Sequence, residues 1–145
     1  MKLLSATLLV SLTVLFACKN PQELEVETIP VVPKATVATD LSSYNDSSPI
    51  GIEDVEVAGN KMSITIKYSG GCKEHAFELV GHRMITKSIP PQRSIKLYHN
   101  NNGDDCRELI NDILIFDISA FAVGDQEVSL KLDGYDKTIS YTPVK

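Results

Sequence analysis

Two cysteines and two histidines lie in local pairs whose spacing could support a metal ion. Cys72 is followed by His75 after two residues, and His99 is followed by Cys106 after six. Cysteine and histidine are the usual ligands of tetrahedral zinc, and a two-residue gap is typical of one ligand pair. The second gap is long for such a site. The four residues therefore form a candidate zinc site, which must be weighed against a disulfide between the two cysteines.

The N-terminus has the pattern of a bacterial export signal, and this determines which redox compartment the cysteines meet. Lys2 is followed by an uncharged apolar run, Leu3 to Phe16, which is shorter than the about 20 residues of a permanent membrane span. Ala17 and Cys18 come next, and Leu-Phe-Ala-Cys resembles a lipobox. The sequence predicts a lipoprotein signal peptide over residues 1–17 and lipidation of Cys18, whose acyl chains would hold the protein on a membrane.

The charge balance favours a lipid anchor over electrostatic attachment. Removing the signal removes one of the 14 Lys+Arg residues and none of the 19 Asp+Glu residues, so the formal charge changes from −5 to −6 with histidine neutral. A negative chain is a poor ligand for nucleic acid and for anionic lipid. We therefore expect membrane attachment through Cys18 and no nucleic-acid partner.

Export also favours a disulfide between Cys72 and Cys106. Two thiols in one small exported domain generally pair, because the compartment is oxidising. The bridge would close a loop of 34 residues, from 72 to 106, and chain-entropy arguments give it about 3–4 kcal/mol of stabilisation. A catalytic thiol is disfavoured, because no helix N-terminus is indicated beside either cysteine. Metal binding by Cys72, His75, His99 and Cys106 remains the alternative.

Residues 18–49 have the composition of a linker between the anchor and a folded domain. They are rich in Pro, Thr, Ser and Val and show neither helical spacing nor sustained alternation. Prolines favour extended chain with few internal hydrogen bonds. We therefore expect an extended, flexible linker. The alternative is that residues 25–32 add an edge strand to the domain.

The character of the sequence changes at Ile50, from which point alternating apolar residues predict strands. Residues 62–68 alternate with period two, residues 52–57 do so as well, and Gly59-Asn60 between them indicates a hairpin. The same period recurs over residues 75–80, 95–99, 128–133 and 138–142, whereas Ile113 to Ile118 is apolar on both faces, as is typical of a covered central strand. We predict one all-β domain over residues 50–145, a single antiparallel β-sandwich of about seven strands, Ig-like or similar.

The same alternation places His75 and His99 on the apolar face, where a neutral core histidine is the common case. Asp104 and Asp105 are expected to be solvated loop charges. No Gly-x-Ser-x-Gly elbow, P-loop or dinucleotide fingerprint is present. A hydrolase that uses His82 or His99 with acids of residues 104–112 rests on residue types alone. We therefore expect a protein that is not an enzyme and that has no cofactor.

Several short motifs in the middle of the chain resemble a known group of proteins. These motifs are Ser69-Gly70-Gly71-Cys72-x-x-His75-x-Phe77-x-Leu79, Leu97-x-His99, Asn102-Gly103-Asp104-x-Cys106 and Ile115-Phe116-Asp117. They resemble small, largely uncharacterised lipoproteins of Bacteroidota and, more loosely, the β-sandwich domain of NigD-like lipoproteins. The resemblance implies an envelope location and a bridge between Cys72 and Cys106, and it implies no substrate.

The anchor, the linker and the stapled domain together predict an envelope protein with a binding role. We expect the domain to face outward from the cytoplasm on a lipid-anchored protein, with the outer membrane as the favoured location. The expected partner is an extracytoplasmic protein, peptide or glycan, bound without catalysis. The alternative function is an envelope metal-binding protein that uses the Cys/His set.

Overall fold

The structure is a computed structural model that describes residues 31–145; the predictions for residues 1–30, including the signal peptide and Cys18, lie outside this part. The described chain forms eight strands, which we number in chain order. They are β1 Thr36–Ala38, β2 Gly51–Ala58, β3 Lys61–Gly70, β4 Ala76–His82, β5 Gln92–Asn100, β6 Glu108–Asp117, β7 Val128–Leu132 and β8 Ile139–Tyr141.

One sheet has three antiparallel strands in the order β2-β3-β6. The hairpin predicted at Gly59-Asn60 joins β2 to β3, and Gly59 has a φ of 59°, a value that a two-residue turn requires and that glycine adopts without strain. β3 and β6 pair over ten residues from Lys61↔Asp117 to Gly70↔Glu108 without a register shift. The even-numbered residues of β3 therefore all point to one face.

The second sheet has five strands in the order β1-β4-β5-β7-β8. β1 pairs with β4 in parallel and β5 pairs with β7 in parallel, so this sheet is mixed rather than antiparallel. The all-β sandwich is confirmed, with eight strands where about seven were expected. Helical structure in residues 31–145 consists of two 3-10 turns, Ser42–Tyr44 and Ser119–Phe121, and no helix there is long and apolar enough to cross a membrane.

A single apolar core joins the two sheets. β3 contributes Met62, Ile64 and Ile66, all without solvent exposure, and β7 contributes Val128 and Leu130. Each fully buried side chain of this size contributes about 1.5–3 kcal/mol from the removal of apolar area from water. The period-two pattern in the sequence therefore identifies the faces that form the core.

The folded unit includes residues that lie before the predicted boundary, residue 50. Ala35 is buried and donates its N–H to the carbonyl of Asp117, and β1 adds to the edge of β4. Further along, the N–H of Ser48 donates to the carbonyl of His99. Residues 31–49 thus pack on the sandwich, and the expected linker does not extend to residue 49. The sequence of these residues does not predict this packing, because β1 is only three residues long and too short to show a period.

The position of β6 also differs from the prediction. Its apolar residues suggested a central strand covered on both faces, but β6 is an edge strand of the three-stranded sheet. Phe116 points into the core, whereas Ile113 and Ile115 remain 61% and 43% exposed on the outer face. Nothing in residues 31–145 packs on that outer face, so the described part of the chain does not supply the predicted cover.

Candidate functional site

The two cysteines are joined in a disulfide. Cys72 follows the end of β3 and Cys106 precedes β6, and their Cα atoms lie 5.9 Å apart. The bridge ties together the two chain segments that flank the same end of the β3–β6 pair. This is the pairing that both the export signal and the resemblance predict.

Asp104 lies beside this disulfide and binds both segments that it joins. Its Oδ2 accepts the backbone N–H groups of Cys72 at 2.9 Å and Lys73 at 3.0 Å, and its Oδ1 accepts the N–H of Cys106 at 2.9 Å. These bonds hold the pKa of the Asp104 carboxyl well below its usual range. The hydrogen bond from Cys106 has the largest effect, followed by those from Cys72 and Lys73. The side chain is 1% exposed, so the expectation of a solvated loop charge is wrong.

The two histidines extend this network from Asp104 into the space between the sheets. His75 Nε2 lies 3.2 Å from Asp104 Oδ2, and His75 Nδ1 lies 2.8 Å from His99 Nε2. His99 Nδ1 then lies 3.3 Å from the carbonyl oxygen of Pro49. We call Cys72, His75, His99, Asp104 and Cys106 the polar cluster.

The contacts at the two ends of the histidine pair fix two of its protons. A carboxylate and a carbonyl only accept, so His75 Nε2 and His99 Nδ1 must both donate. Burial lowers the pKa of His99, and the adjacent His75 lowers it further. The fold therefore favours the neutral form of His99.

Aromatic rings enclose the histidine pair. The His99 ring stacks on Phe77 with centroids 4.7 Å apart, and Tyr68 meets it edge-on at 5.2 Å. The His75 side chain is 2% exposed, and the residue His99 is 1% exposed. A Cβ on Gly70 would lie 2.5 Å from His75 Cε1, so only glycine fits there without displacing the ring. The histidine pair is thus closed to substrates, whereas Cys72 at the margin of the cluster is exposed.

The polar cluster does not present the predicted zinc ligands. Within residues 31–145, the group of three potential ligands whose atoms lie within 4.8 Å of one another is Cys72, Asp104 and Cys106, and neither histidine belongs to it. The two sulfurs are bonded to each other, so neither offers a thiolate. The Cys/His set is therefore not a metal site in the oxidised protein.

The hydrolase alternative gains no open site from these contacts, because His99 reaches Asp104 only through the buried His75. His99 is enclosed as described, while His82 lies at the other end of the β4–β5 hairpin and accepts the N–H of Met84 on Nδ1 at 3.0 Å. Nearby Arg93 is 6% exposed and donates to the carbonyls of His82 and Phe121. Burial lowers the pKa of Arg93. The Arg93 guanidinium therefore binds carbonyl groups within the fold and does not contribute to a surface site.

The loop that joins β4 to β5, residues 83–91, presents a very different surface. Its conformation is held internally, because Thr86 and Gln92 form an isolated antiparallel bridge and Ser88 Oγ donates to the carbonyl of Pro90 at 2.8 Å. The loop nevertheless exposes large apolar side chains. Met84 is 74% exposed and Ile89 is fully exposed. An ordered loop that leaves such side chains in water is unusual for a free surface.

A cleft of about 580 Å³ lies between this loop and the residues before β7. Its lining comes from residues 85–91 together with Gln126 and Glu127, and it contains no aromatic ring. A second cleft, of about 520 Å³, adjoins the turn at Ser42–Tyr44 and exposes no large apolar side chain. The first cleft is therefore the better binding site. The signal for this cleft in the sequence is three large apolar residues, Met84, Ile85 and Ile89, within one short loop.

Solved structures show which proteins share this fold. A NigD-like immunity protein from Bacteroides caccae superposes with a TM-score of 0.55 at 17% identity, over 78% of this chain and 65% of that one. A DUF1344 protein of unknown function from Bacteroides vulgatus gives 0.53 at 17% identity, over 79% and 58%. The chain thus spans less than two thirds of either structure. No protein-family model and no curated protein matches. The predicted resemblance is confirmed at the level of the fold.

Proposed function

We propose, from the fold shared with the Bacteroides NigD-like immunity protein, that this chain is a lipid-anchored envelope protein whose sandwich binds a partner protein without catalysis. The anchor is the acylated Cys18, and the outer membrane is the favoured location. The observation that carries the proposal is the ordered loop 83–91 with its exposed Met84 and Ile89 beside an open cleft. An immunity role, which the name of the Bacteroides caccae structure states for that protein, is the specific form of this proposal.

The chemistry of the cleft favours a protein over a glycan. Sugars generally bind against aromatic platforms, and the lining of this cleft has none. Ile85 and Ile89 offer aliphatic contacts, and Lys87 and Glu127 at the same cleft offer one charge of each sign. This combination suits an apolar side chain of a partner flanked by polar groups. Burying one such isoleucine contributes about 1.5–3 kcal/mol, or roughly 10- to 100-fold in affinity.

The proposal is tested by placing a photoreactive amino acid at position 89 in intact cells and identifying the cross-linked protein. The matched control carries the same amino acid at Val144, an exposed apolar position away from the loop. We expect one discrete adduct at position 89 and none at 144. The purified partner should then bind Ile89→Asp at least about 10-fold more weakly than the unaltered chain, while Val144→Asp binds normally. Adducts at both positions, or an unchanged Kd for Ile89→Asp, would contradict the proposal.

A further inference from the structure

The hairpin that carries loop 83–91 belongs to a stretch of the chain that contains no acid. Aspartate and glutamate are absent from residues 79–103, although the whole chain has 19 of them and a formal charge of −5. The same stretch has four cationic residues, which are Arg83, Lys87, Arg93 and Lys96. Lys96 lies in the middle of β5, where its Nζ is 3.8 Å from Asp133. The other three cations lie at the loop end of the hairpin.

These three cations form no ion pair with any carboxylate of residues 31–145. Arg83 and Lys87 are exposed, and the backbone N–H of Arg83 donates to the carbonyl of Ala38 at 2.7 Å, which fixes the point from which its side chain projects. Arg93 is buried and donates to carbonyl oxygens, so its charge is also unmatched by a carboxylate. The charges that a partner can contact are therefore those of Arg83 and Lys87.

The acids around the loop have partners of their own. Glu127 lines the cleft, and its Oε1 accepts the hydroxyl of Ser140 at 2.6 Å. Asp125 lies 2.9 Å from Nζ of Lys145. Asp40, two residues after the end of β1, accepts a backbone N–H of its own turn at 2.9 Å. The positive charge of the loop is thus left for a partner, and it stands out against the negative charge of the whole chain.

The exposed cations alternate with the apolar side chains of the loop. Arg83 directly precedes Met84, and Lys87 lies between Ile85 and Ile89, with which it lines the cleft. We infer, on the basis of the proposed function, that the partner protein is acidic where it docks on this loop. It places an apolar side chain in the cleft and carboxylate groups beside Arg83 and Lys87. Complementary charge of this kind speeds association and excludes partners of the wrong sign.

An anionic membrane is the other surface that exposed aliphatic and basic side chains fit. The shape of the site favours a protein, because a concave space of about 580 Å³ accepts a side chain, whereas lipid insertion uses side chains that protrude. The formal charge of −5 also opposes the approach of the whole chain to an anionic bilayer. A single acidic segment of a protein meets only the loop, where the local charge is positive.

The photoreactive amino acid at position 89 tests the charge of the partner in intact cells. One background carries Arg83→Glu with Lys87→Glu. The matched control carries Lys131→Glu with Lys137→Glu, which makes the same change in net charge at exposed lysines outside the cleft. We expect the first background to lower the yield of the adduct at least about 10-fold and the control to leave it unchanged. Mass spectrometry of the adduct should find aspartate or glutamate beside the attached residue.

Thermal unfolding checks that both backgrounds fold, which we expect because all four side chains are exposed and form no ion pair in residues 31–145. If the double charge reversal does not fold, Arg83→Gln with Lys87→Gln serves instead. The membrane is tested by flotation of the purified Cys18→Ser chain with vesicles that contain phosphatidylglycerol. We expect no flotation.

The outcomes separate this inference from the proposed function on which it rests. No adduct with the unaltered charges overturns both. An adduct of undiminished yield in the loop background overturns only the acidic partner, as does an attached region without acids. Equal losses in the two backgrounds would show that net charge matters rather than the loop, and they also overturn the inference. Flotation that the loop substitutions abolish would make anionic lipid the occupant.

Discussion

The two ends of the β4–β5 hairpin differ in structure, and at each end the structure differs from what the residue types suggest. At one end, the polar cluster assembles the residue types from which metal sites and catalytic relays are made. Its two histidine side chains and Asp104 are buried and paired with other parts of the fold, and its two cysteines are bonded to each other. At the other end, loop 83–91 has no cysteine or histidine, and it is there that apolar side chains face water beside a cleft. The cysteines and histidines thus belong to the staple of this domain, and aliphatic side chains line the binding surface that we propose.

The largest expected effect tests whether the polar cluster is structural. Replacing both cysteines, Cys72→Ser with Cys106→Ser, should lower the free energy of unfolding by about 3–4 kcal/mol, because the bridge closes a loop of 34 residues. Urea unfolding of the oxidised protein and the double variant measures it. Reduced, alkylated wild type is the control and should resemble the variant. A loss below about 1 kcal/mol would mean that the cluster does not need its bridge.

A smaller effect tests how tightly the histidine pair is packed. Gly70→Ala should cost roughly 1–3 kcal/mol, because the added methyl meets the buried His75 ring at 2.5 Å. Gly51→Ala is the matched control, since its methyl would meet its nearest atom at an ordinary 3.6 Å. Thermal unfolding of the two variants should therefore separate clearly. Equal melting temperatures would indicate that the ring has room to move, contrary to the enclosed geometry.

The pH dependence tests the burial of His99. The fold lowers the pKa of His99 below its ordinary value of 6.5. As the pH falls through this value, His99 therefore binds a proton in the unfolded chain before it does so in the native protein. The stability that His99 contributes is present above about pH 6.5 and is lost as the pH falls, with a slope of at most about 1.4 kcal/mol per pH unit. Urea midpoints between pH 8 and 5 should show this slope. His99→Gln should flatten it and His82→Gln should not; an unchanged slope in His99→Gln would contradict the assignment.

The smallest expected effect tests the other end of the hairpin. Ile89→Asp should change the free energy of unfolding by no more than about 0.5 kcal/mol, because the side chain is fully exposed and contributes little to the fold. Equilibrium unfolding measures this beside the partner-binding assay. Retained stability with lost binding would sharpen the contrast between the two ends. A loss of several kcal/mol would show that the loop is part of the core after all.

The sequence predicted the parts of this structure that follow from local periodicity. The core faces of β3, β5 and β7, the hairpin at Gly59-Asn60 and the disulfide follow from alternation, turn chemistry and redox compartment. The order of strands did not follow, because two parallel pairs depend on long-range packing. The edge position of β6 among the described strands did not follow either: an apolar pattern shows that a face can be buried and does not show what is present to bury it.

The candidate sites, like the fold, could be predicted only in part from the sequence. That His75 and His99 face inward was predictable from the period of two, but their contact with each other and with Asp104 depends on a loop that folds back from another strand. Asp104 itself left a weak signal, since aspartate two residues before Cys106 is placed to accept that residue's N–H. Loop 83–91 left only a short run of aliphatic residues, whose exposure no spacing rule could reveal.

The disulfide has a topological consequence for the exposed loop. The bridge between Cys72 and Cys106 closes a covalent ring, and residues 83–91 lie within that ring. A protease that cuts the loop opens the ring once and leaves both fragments attached to each other through sulfur. The nicked protein should therefore migrate as one species without reductant and as two with it. Cleavage within this exposed loop therefore does not release any part of the domain.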